Sequence, residues 1–336
     1  MKAYRDRMDQ LHFTKEQKTQ LVDRLMEAAE QPVSRRNRGR LRRMVTVGVA
    51  AALVLAVGAG ATVVLTPAGE VFSSILGGAP AQTEIIDRIG RPIGASDTQN
   101  GVTITADAIV GDTYSYAIVY SIAREDGQPL ADDLTANELG YLPLLFQDSG
   151  TDVGHMGGMH GSSYFYDADP SDNSIQFVEM MTADSPIQTG TARASFTNLQ
   201  LTDESYANST ILAEGTWNLK FDFAFEDAMV HLDAGQALHF NGTEAVLDDV
   251  QLSPLSFQIS YTVQTPNAAN YNEYLNTLPV TLQLKDGSTV DLTLSGGGVH
   301  DNGNTVVCQK SDIFSQILPL DEIASITVGD VTLPVD

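Results

Sequence analysis

The sequence predicts a mainly β chain, with two tandem β-sandwich domains outside one transmembrane helix and a short amphipathic helix on the cytoplasmic side. Three observations predict this. An uncharged tract of 22 residues, 44–65, follows a run of arginines. The net charge changes sign across that tract. Beyond it, short segments alternate apolar with polar residues and are separated by turn-forming stretches.

At about 1.5 Å per helical residue the tract spans roughly 33 Å, enough for a hydrocarbon core. Arg35, Arg36, Arg38, Arg40, Arg42 and Arg43 precede it, whereas "TPAGEVFSSILGG" after it carries one acid and no base. By the positive-inside rule these arginines hold the N-terminus in the cytoplasm. Of the 19 bases and 43 acids, 12 and 6 lie in residues 1–43, leaving 7 bases and 37 acids for residues 66–336. A cleaved secretory signal has the same order of regions, and Ala79-Pro80-Ala81 has the small-x-small form of a cleavage site. It would, however, need a far longer apolar region than the usual ~7 to 15 residues, so the tract is read as a retained anchor in the plasma membrane. Gly48, Ala52, Ala56 and Gly60 recur every fourth residue along it, a stripe through which two such helices could approach as a homodimer.

On the cytoplasmic side, "TKEQKTQLVDRLMEAAEQP" begins with Thr14 and Gln17 at capping-box spacing and ends at Pro32. The pattern predicts a helix over 15–30 with Leu21, Val22, Leu25, Met26 and Ala29 on one stripe. About 30 residues cannot build a core of their own, so that stripe needs a partner or the bilayer. The helix is near neutral and the positive charge comes later, which favours docking in a groove of a cytosolic protein over adsorption to the inner leaflet or a disordered tail.

Outside the membrane, residues 66–83 read as a juxtamembrane linker that opens with a turn of helix. Residues 84–230 and 231–336 read as two β domains, with the junction at 230–233. Strands are expected in "GVTITADAIV", "TYSYAIVYSIA", "SIQFVEMMTA", "TARASFTNLQL" and "TWNLKFDFAF", then in "QALHFNGTEAVLDDVQL", "LSFQISYTV", "PVTLQLKDGSTVDLTLS" and "ASITVGDVTLPV". Asp286-Gly287 and Gly329-Asp330 sit where two-residue hairpin turns belong. Short antiparallel strands with one buried face point to sandwiches. Helix is expected to be scarce, with 312–318 and 270–276 the better candidates. Trp217, alternating with Leu219, Phe221 and Phe223, reads as core packing.

Candidate chemistry is thin. His155, Met156, Met159 and His160 are soft and imidazole ligands, but the glycines around them predict a mobile loop rather than a metal site. Asp167, Asp169, Asp172 and Asn173 lack the glycine and terminal Glu of a calcium loop and read as a solvated acidic turn. His300 and Cys308 are the nearest base–nucleophile pair, yet Cys308 lies in the alternating "NTVVCQK" and reads as buried packing. A single cysteine excludes an internal disulfide and a thiolate zinc cluster. No hydrolase, zincin or phosphate-loop motif is present, and the acidic exterior disfavours nucleic acid. The expectation is therefore no enzyme, no cofactor and no metal.

"IGRPIGASDTQNGVTITADAIVGDTYSYAIVYSI" resembles the extracellular domain of unknown function 4179 found in Firmicutes. Members are single-pass proteins often encoded beside an extracytoplasmic-function sigma factor and regarded as anti-sigma factors. "YRDRMDQLHFTKEQKTQLVDRLMEAAE" is similar to their cytoplasmic segment, with Met8, Leu11, His12 and Phe13 at the matching positions. "GTWNLKFDF" and "VQLSPLSFQISYTV" resemble the end of that domain and an immunoglobulin-like domain after it. The resemblance implies two tandem immunoglobulin-like sandwiches that sense an envelope or cell-wall signal. It also implies a sigma factor held through Leu11, Phe13, Leu21, Val22, Leu25 and Met26. His12 has no cytoplasmic Cys to join, so the zinc site of zinc-containing anti-sigma factors is not expected. The competing expectation is a cell-surface binding or structural protein whose tail only anchors it. Protease added to intact cells is expected to remove the acidic bulk and spare residues 1–43; loss of the N-terminal arm with survival of the bulk would contradict the orientation.

Overall fold

The computed structural model of the chain describes residues 54–56, 62–131, 134–154, 157–203, 208–264 and 271–335. The expected cytoplasmic helix, with all its proposed contact residues, and the arginine run lie outside the described residues. So does most of the expected membrane span. Of that span, β1 (Val54–Ala56) and β2 (Thr62–Val64) are described as a short antiparallel pair. Among the described residues no helix is long and apolar enough to cross a membrane.

The rest is mainly β and antiparallel throughout. A first sheet runs in the order β3 (Gly90–Gln99), β4 (Val102–Gly111), β5 (Ser115–Arg124), β8 (Ile175–Ala183), β7 (Met159–Tyr166). Facing it are three strands in the order β10 (Ser209–Phe223), β9 (Gly190–Thr202), β6 (Leu144–Asp152). One core joins the two sheets, with Ile104, Tyr120 and Phe177 from the first meeting Phe196, Trp217 and Leu219 from the second. Strand β10 shows why the pattern is so regular. Trp217, Leu219, Phe221 and Phe223 are buried while Asn218, Lys220 and Asp222 between them face water, as expected where one sheet face is solvated. The indole Nε1 of Trp217 donates to the Val102 carbonyl at 2.9 Å, so the ring fills the core without stranding its donor.

A second sheet pair follows. Five strands run β11 (Val230–Leu232), β13 (Thr243–Leu252), β14 (Ser256–Val263), β18 (Val306–Ile313), β17 (Gly297–Asp301), with β12 (Ala237–Phe240) also paired to β13. Opposite them lie β16 (Thr289–Asp291), β15 (Val280–Leu284), β19 (Ile323–Val328) and β20 (Val331–Pro334). The turns at Asp286-Gly287 and Gly329-Asp330 connect β15 to β16 and β19 to β20, and both glycines take positive φ, which a Cβ would strain. Cys308 is fully buried in this core. A helix occupies Tyr271–Asn276, as its composition predicts. The helix expected over 312–318 does not form: β18 continues through Ile313, and the chain then turns so that Phe314 and Ile317 are buried. Its apolar residues answer to two separate cores rather than to one helical face.

The larger departure from expectation lies in residues 66–89. In place of a linker, the helices Ala68–Val71, Ser73–Leu76 and Pro80–Ile89 form a strap across the outer face of the five-stranded sheet. Pro80 at the first helical position and the Gln82 side chain, which accepts from the Ala79 N–H at 3.1 Å, start the third helix. The strap closes a third core, in which Phe72, Leu76 and Ile86 pack with Val119 and Val178 of the sheet. Leu255 and Ile317 of the second sheet pair join the same core. This explains the unbroken burial of Ser115–Tyr120 in β5, whose alternate side chains enter different cores. Phe72 is fully buried. Phe72→Ala is expected to destabilise the full-length chain by about 3–5 kcal/mol in chemical denaturation, and a change under about 1 kcal/mol would show that the strap is not part of the cooperative core.

Candidate functional site

The strap does not seal the sheet everywhere. Between Glu70, Ser73 and Ser74 above and Thr105, Asp107 and Ser121 below lies a cavity of about 420 Å³. The local sequence builds it through a bulge. Ala106 pairs with Tyr120 and Ala108 with Val119, so Asp107 is the extra residue in β4. The bulge aims Asp107 and Ala108 successively at the outer face, the first into the cavity and the second into the strap core. Gly94 in β3, with φ of 72°, lets the Leu65 side chain lie where a Cβ would otherwise stand. Leu65 is the last residue of the apolar tract, so the tract's end is seated on the sheet beside this cavity.

Ser121 donates its hydroxyl to Asp107. Burial outweighs that bond and pushes the Asp107 carboxyl up to about 6. Tyr166, also raised by burial, lies 3.4 Å from the Ser74 hydroxyl and ties the rim to the strap. Asp172 and Gln176 complete the rim; their oxygens accept the Ser174 and Ala168 N–H groups at 2.8 Å. Among the described residues no base lines the cavity. It can therefore take a proton or a small cationic group and disfavours phosphate or other anions.

The second notable group is a junction rather than a cavity. Asp112, in the turn after β4, is fully buried and accepts from the Tyr114 and Ser115 N–H groups at 3.0 and 2.8 Å. Its other oxygen accepts the hydroxyls of Ser253 and Ser256 in the β13–β14 turn at 2.5 and 2.6 Å. Burial raises its carboxyl and the four donors oppose the rise. The strap meets the same turn region from the other side. The Leu76 carbonyl accepts from the Ile317 N–H at 2.7 Å, and Gln82 Nε2 donates to the Ile317 carbonyl at 3.1 Å. Nearby, Thr113 donates to Asp227 at 3.0 Å and Phe225 covers Gly111, so the segment between the sheet pairs is fastened as well.

The candidates named from sequence fall in various places. His155 and Met156 lie outside the described residues. Met159 and His160 open strand β7 rather than a loop, and His160 Nε2 donates to the Ser311 carbonyl at 3.0 Å across the two sheet pairs. Asp169 and Asp172 are used as turn acceptors for Ser171 and Ser174, and Asn173 donates to the Gly127 carbonyl. Val299 pairs with Cys308 and His300 with Val307, so His300 points outward while Cys308 points into the core, where burial pushes its thiol up to about 11. They do not meet. Gly48, Ala52 and Gly60 lie outside the described residues, and Ala56 ends β1. Sequence reading passed over Asp107 and Asp112; the only written signal was an acid inside an otherwise apolar strand run, "TADAIVGD".

No protein-family model matches the chain, and no curated protein matches it. Among solved structures, a conserved domain protein from Bacillus anthracis, described from its crystal structure, aligns at 18% identity and a TM-score of 0.48. The alignment covers 71% of this chain and 76% of that one, a likeness too loose to bear on function.

The raised carboxyl of Asp107 sets a pH dependence of unusual sign. Over the interval between its ordinary value of 3.8 and about 6, folded Asp107 holds a proton that the unfolded chain has lost. Its contribution to stability is fully present below the lower value and is lost as pH rises through about 6. Buried Asp112 and Glu179 are raised in the same direction. The melting temperature of the detergent-solubilised chain is expected to rise on acidification from about pH 7 to about pH 5, and Asp107→Asn is expected to flatten that rise. An unchanged slope in the variant would remove Asp107 from the account.

Proposed function

We propose that this protein is a membrane-anchored regulator, an anti-sigma factor that holds an extracytoplasmic-function sigma factor through its cytoplasmic helix and senses envelope state with tandem immunoglobulin-like outer domains. In this reading the apolar tract, 22 residues without a charge, is the anchor. One observation carries the reading. The residues that directly follow the tract are folded into a core shared by both sheet pairs, with Leu65 itself seated on Gly94.

A protein that merely displays a binding domain needs only a loose tether at this point. A strap bound to both sheet pairs instead ties the anchor to their relative arrangement. A proton or cation entering beside Asp107, or any ligand that parts the two sheet pairs, acts on the residues next to the membrane. The output is then release or retention of the sigma factor on the other side. This is linkage between two sites through a shared packed element.

The test is capture from solubilised membranes through a C-terminal tag. The full-length chain is expected to bring down a sigma subunit in near-stoichiometric amount, and Leu21→Asp with Leu25→Asp is expected to lose it while membrane insertion is kept. Purification with no sigma subunit contradicts the regulatory reading and leaves the surface-binding one.

A further inference from the structure

The two facing sheets of the first sheet pair differ in width. The sheet of β3, β4, β5, β8 and β7 has five strands, and the sheet of β10, β9 and β6 has three. On one side the mismatch is closed, because β10 lies against β3, and Asn218 of β10 donates its N–H to Asp97 of β3. On the other side β6 and β7 are both edge strands, each with one hydrogen-bonding side unused by the sheets. Just ahead of β6, the Leu142 N–H donates to the Phe165 carbonyl of β7 at 2.8 Å. Beyond it the sandwich stands open.

The opening is a groove made of two cavities that share Ser149, Ser162, Ser163 and Phe177. The first, about 380 Å³, has Leu144, Phe146 and Phe165 among its walls beside the shared serines. The second, about 310 Å³, ends on Glu179 and Thr151. Inward-facing positions of β7 are held by Gly161 and Ser163, too small to cover the side chains of β8 beneath them. Glu179 is 8% exposed and accepts the Tyr116 and Thr151 hydroxyls at 2.8 Å each. Among the described residues no cation lies within ion-pair distance of it. Burial raises this carboxyl from its ordinary range, so it gains more than a surface acid does from an entering cation.

We propose that this groove binds an extended peptide bearing a lysine or arginine, added as a fourth strand on the free edge of β6 with its cationic side chain directed at Glu179. Strand addition supplies main-chain hydrogen bonds, and pockets for alternate side chains supply selectivity. Phe177 and Glu179 lie two residues apart on one face of β8, roughly 6.7 Å along the strand, which is the spacing of side chains i and i+2 in an added strand. The groove therefore reads a basic residue followed or preceded at two positions by an apolar one. The outer region's 37 acids against 7 bases draw such a peptide in. The inference stands on the first sheet pair alone and holds whether or not the chain regulates a sigma factor.

The test uses the full-length chain in detergent and the capped peptide Thr-Val-Thr-Lys-Thr-Val-Thr, whose order of side chains is the same in either direction. A counterpart carries norleucine in place of lysine. The lysine peptide is expected to bind saturably and at least about tenfold more tightly than the norleucine peptide. Glu179→Gln, which keeps an acceptor for Tyr116, is expected to erase that difference. Ser163→Leu is expected to weaken both peptides by filling the groove, and N-methylation of alternate amides to abolish binding on one registry only. Equal affinities of the two peptides for the unmodified chain, or no saturable binding, overturns the proposal even if Glu179→Gln fails to fold.

Discussion

Asp112 lies where the turn after β4 meets the turn between β13 and β14, with no exposure to water and with all four of its hydrogen-bond donors in place. A carboxyl taken out of water costs several kcal/mol unless its acceptors are satisfied. Two donors come from its own turn and two from the other sheet pair, so parting the sheet pairs leaves Asp112 half satisfied. The apolar neighbours Leu255 and Ile317 act in the same sense. Polar satisfaction fixes the geometry of the junction, and burial of Phe72, Leu76 and Ile86 draws the strap onto it.

Once that junction exists, the strap follows. The last carbonyls of a helix need partners, and Leu76 finds one in the Ile317 N–H. The close approach of the first and third strap helices depends on Gly69, whose N–H reaches Asp87 at 2.7 Å and whose missing Cβ makes room for the Thr83 carbonyl. These contacts make residues 68–89 part of a folded body. The junction and the cavity above Asp107 both border residues that follow directly on the apolar tract.

Alternation is most plainly written where a strand has one solvated face, as from Trp217 to Phe223. β3 escaped because "GRPIGASDTQ" is an edge strand with a bulge at Ile93-Gly94 and little apolar content. β7 was read as a loop because its glycines and serines serve an open groove rather than a filled core. The strap was read as a linker since its helices are short and its apolar residues, Phe72, Leu76, Ile86 and Ile89, are spread over three of them. Asp107 and Asp112 were invisible as sites because their meaning comes from a bulge and from residues more than a hundred positions away. Pairings of that range cannot be inferred from local pattern.

Amide hydrogen exchange on the full-length chain in lipid nanodiscs tests the coupling of strap to junction most directly. The account predicts that amides of 68–89 are protected to the same degree as those of β5, and that Ser253→Ala with Ser256→Ala speeds exchange in the strap although the two hydroxyls bond to Asp112 rather than to it. Fast exchange over 68–89 in the unmodified chain, or strap protection indifferent to the two serines, would contradict it.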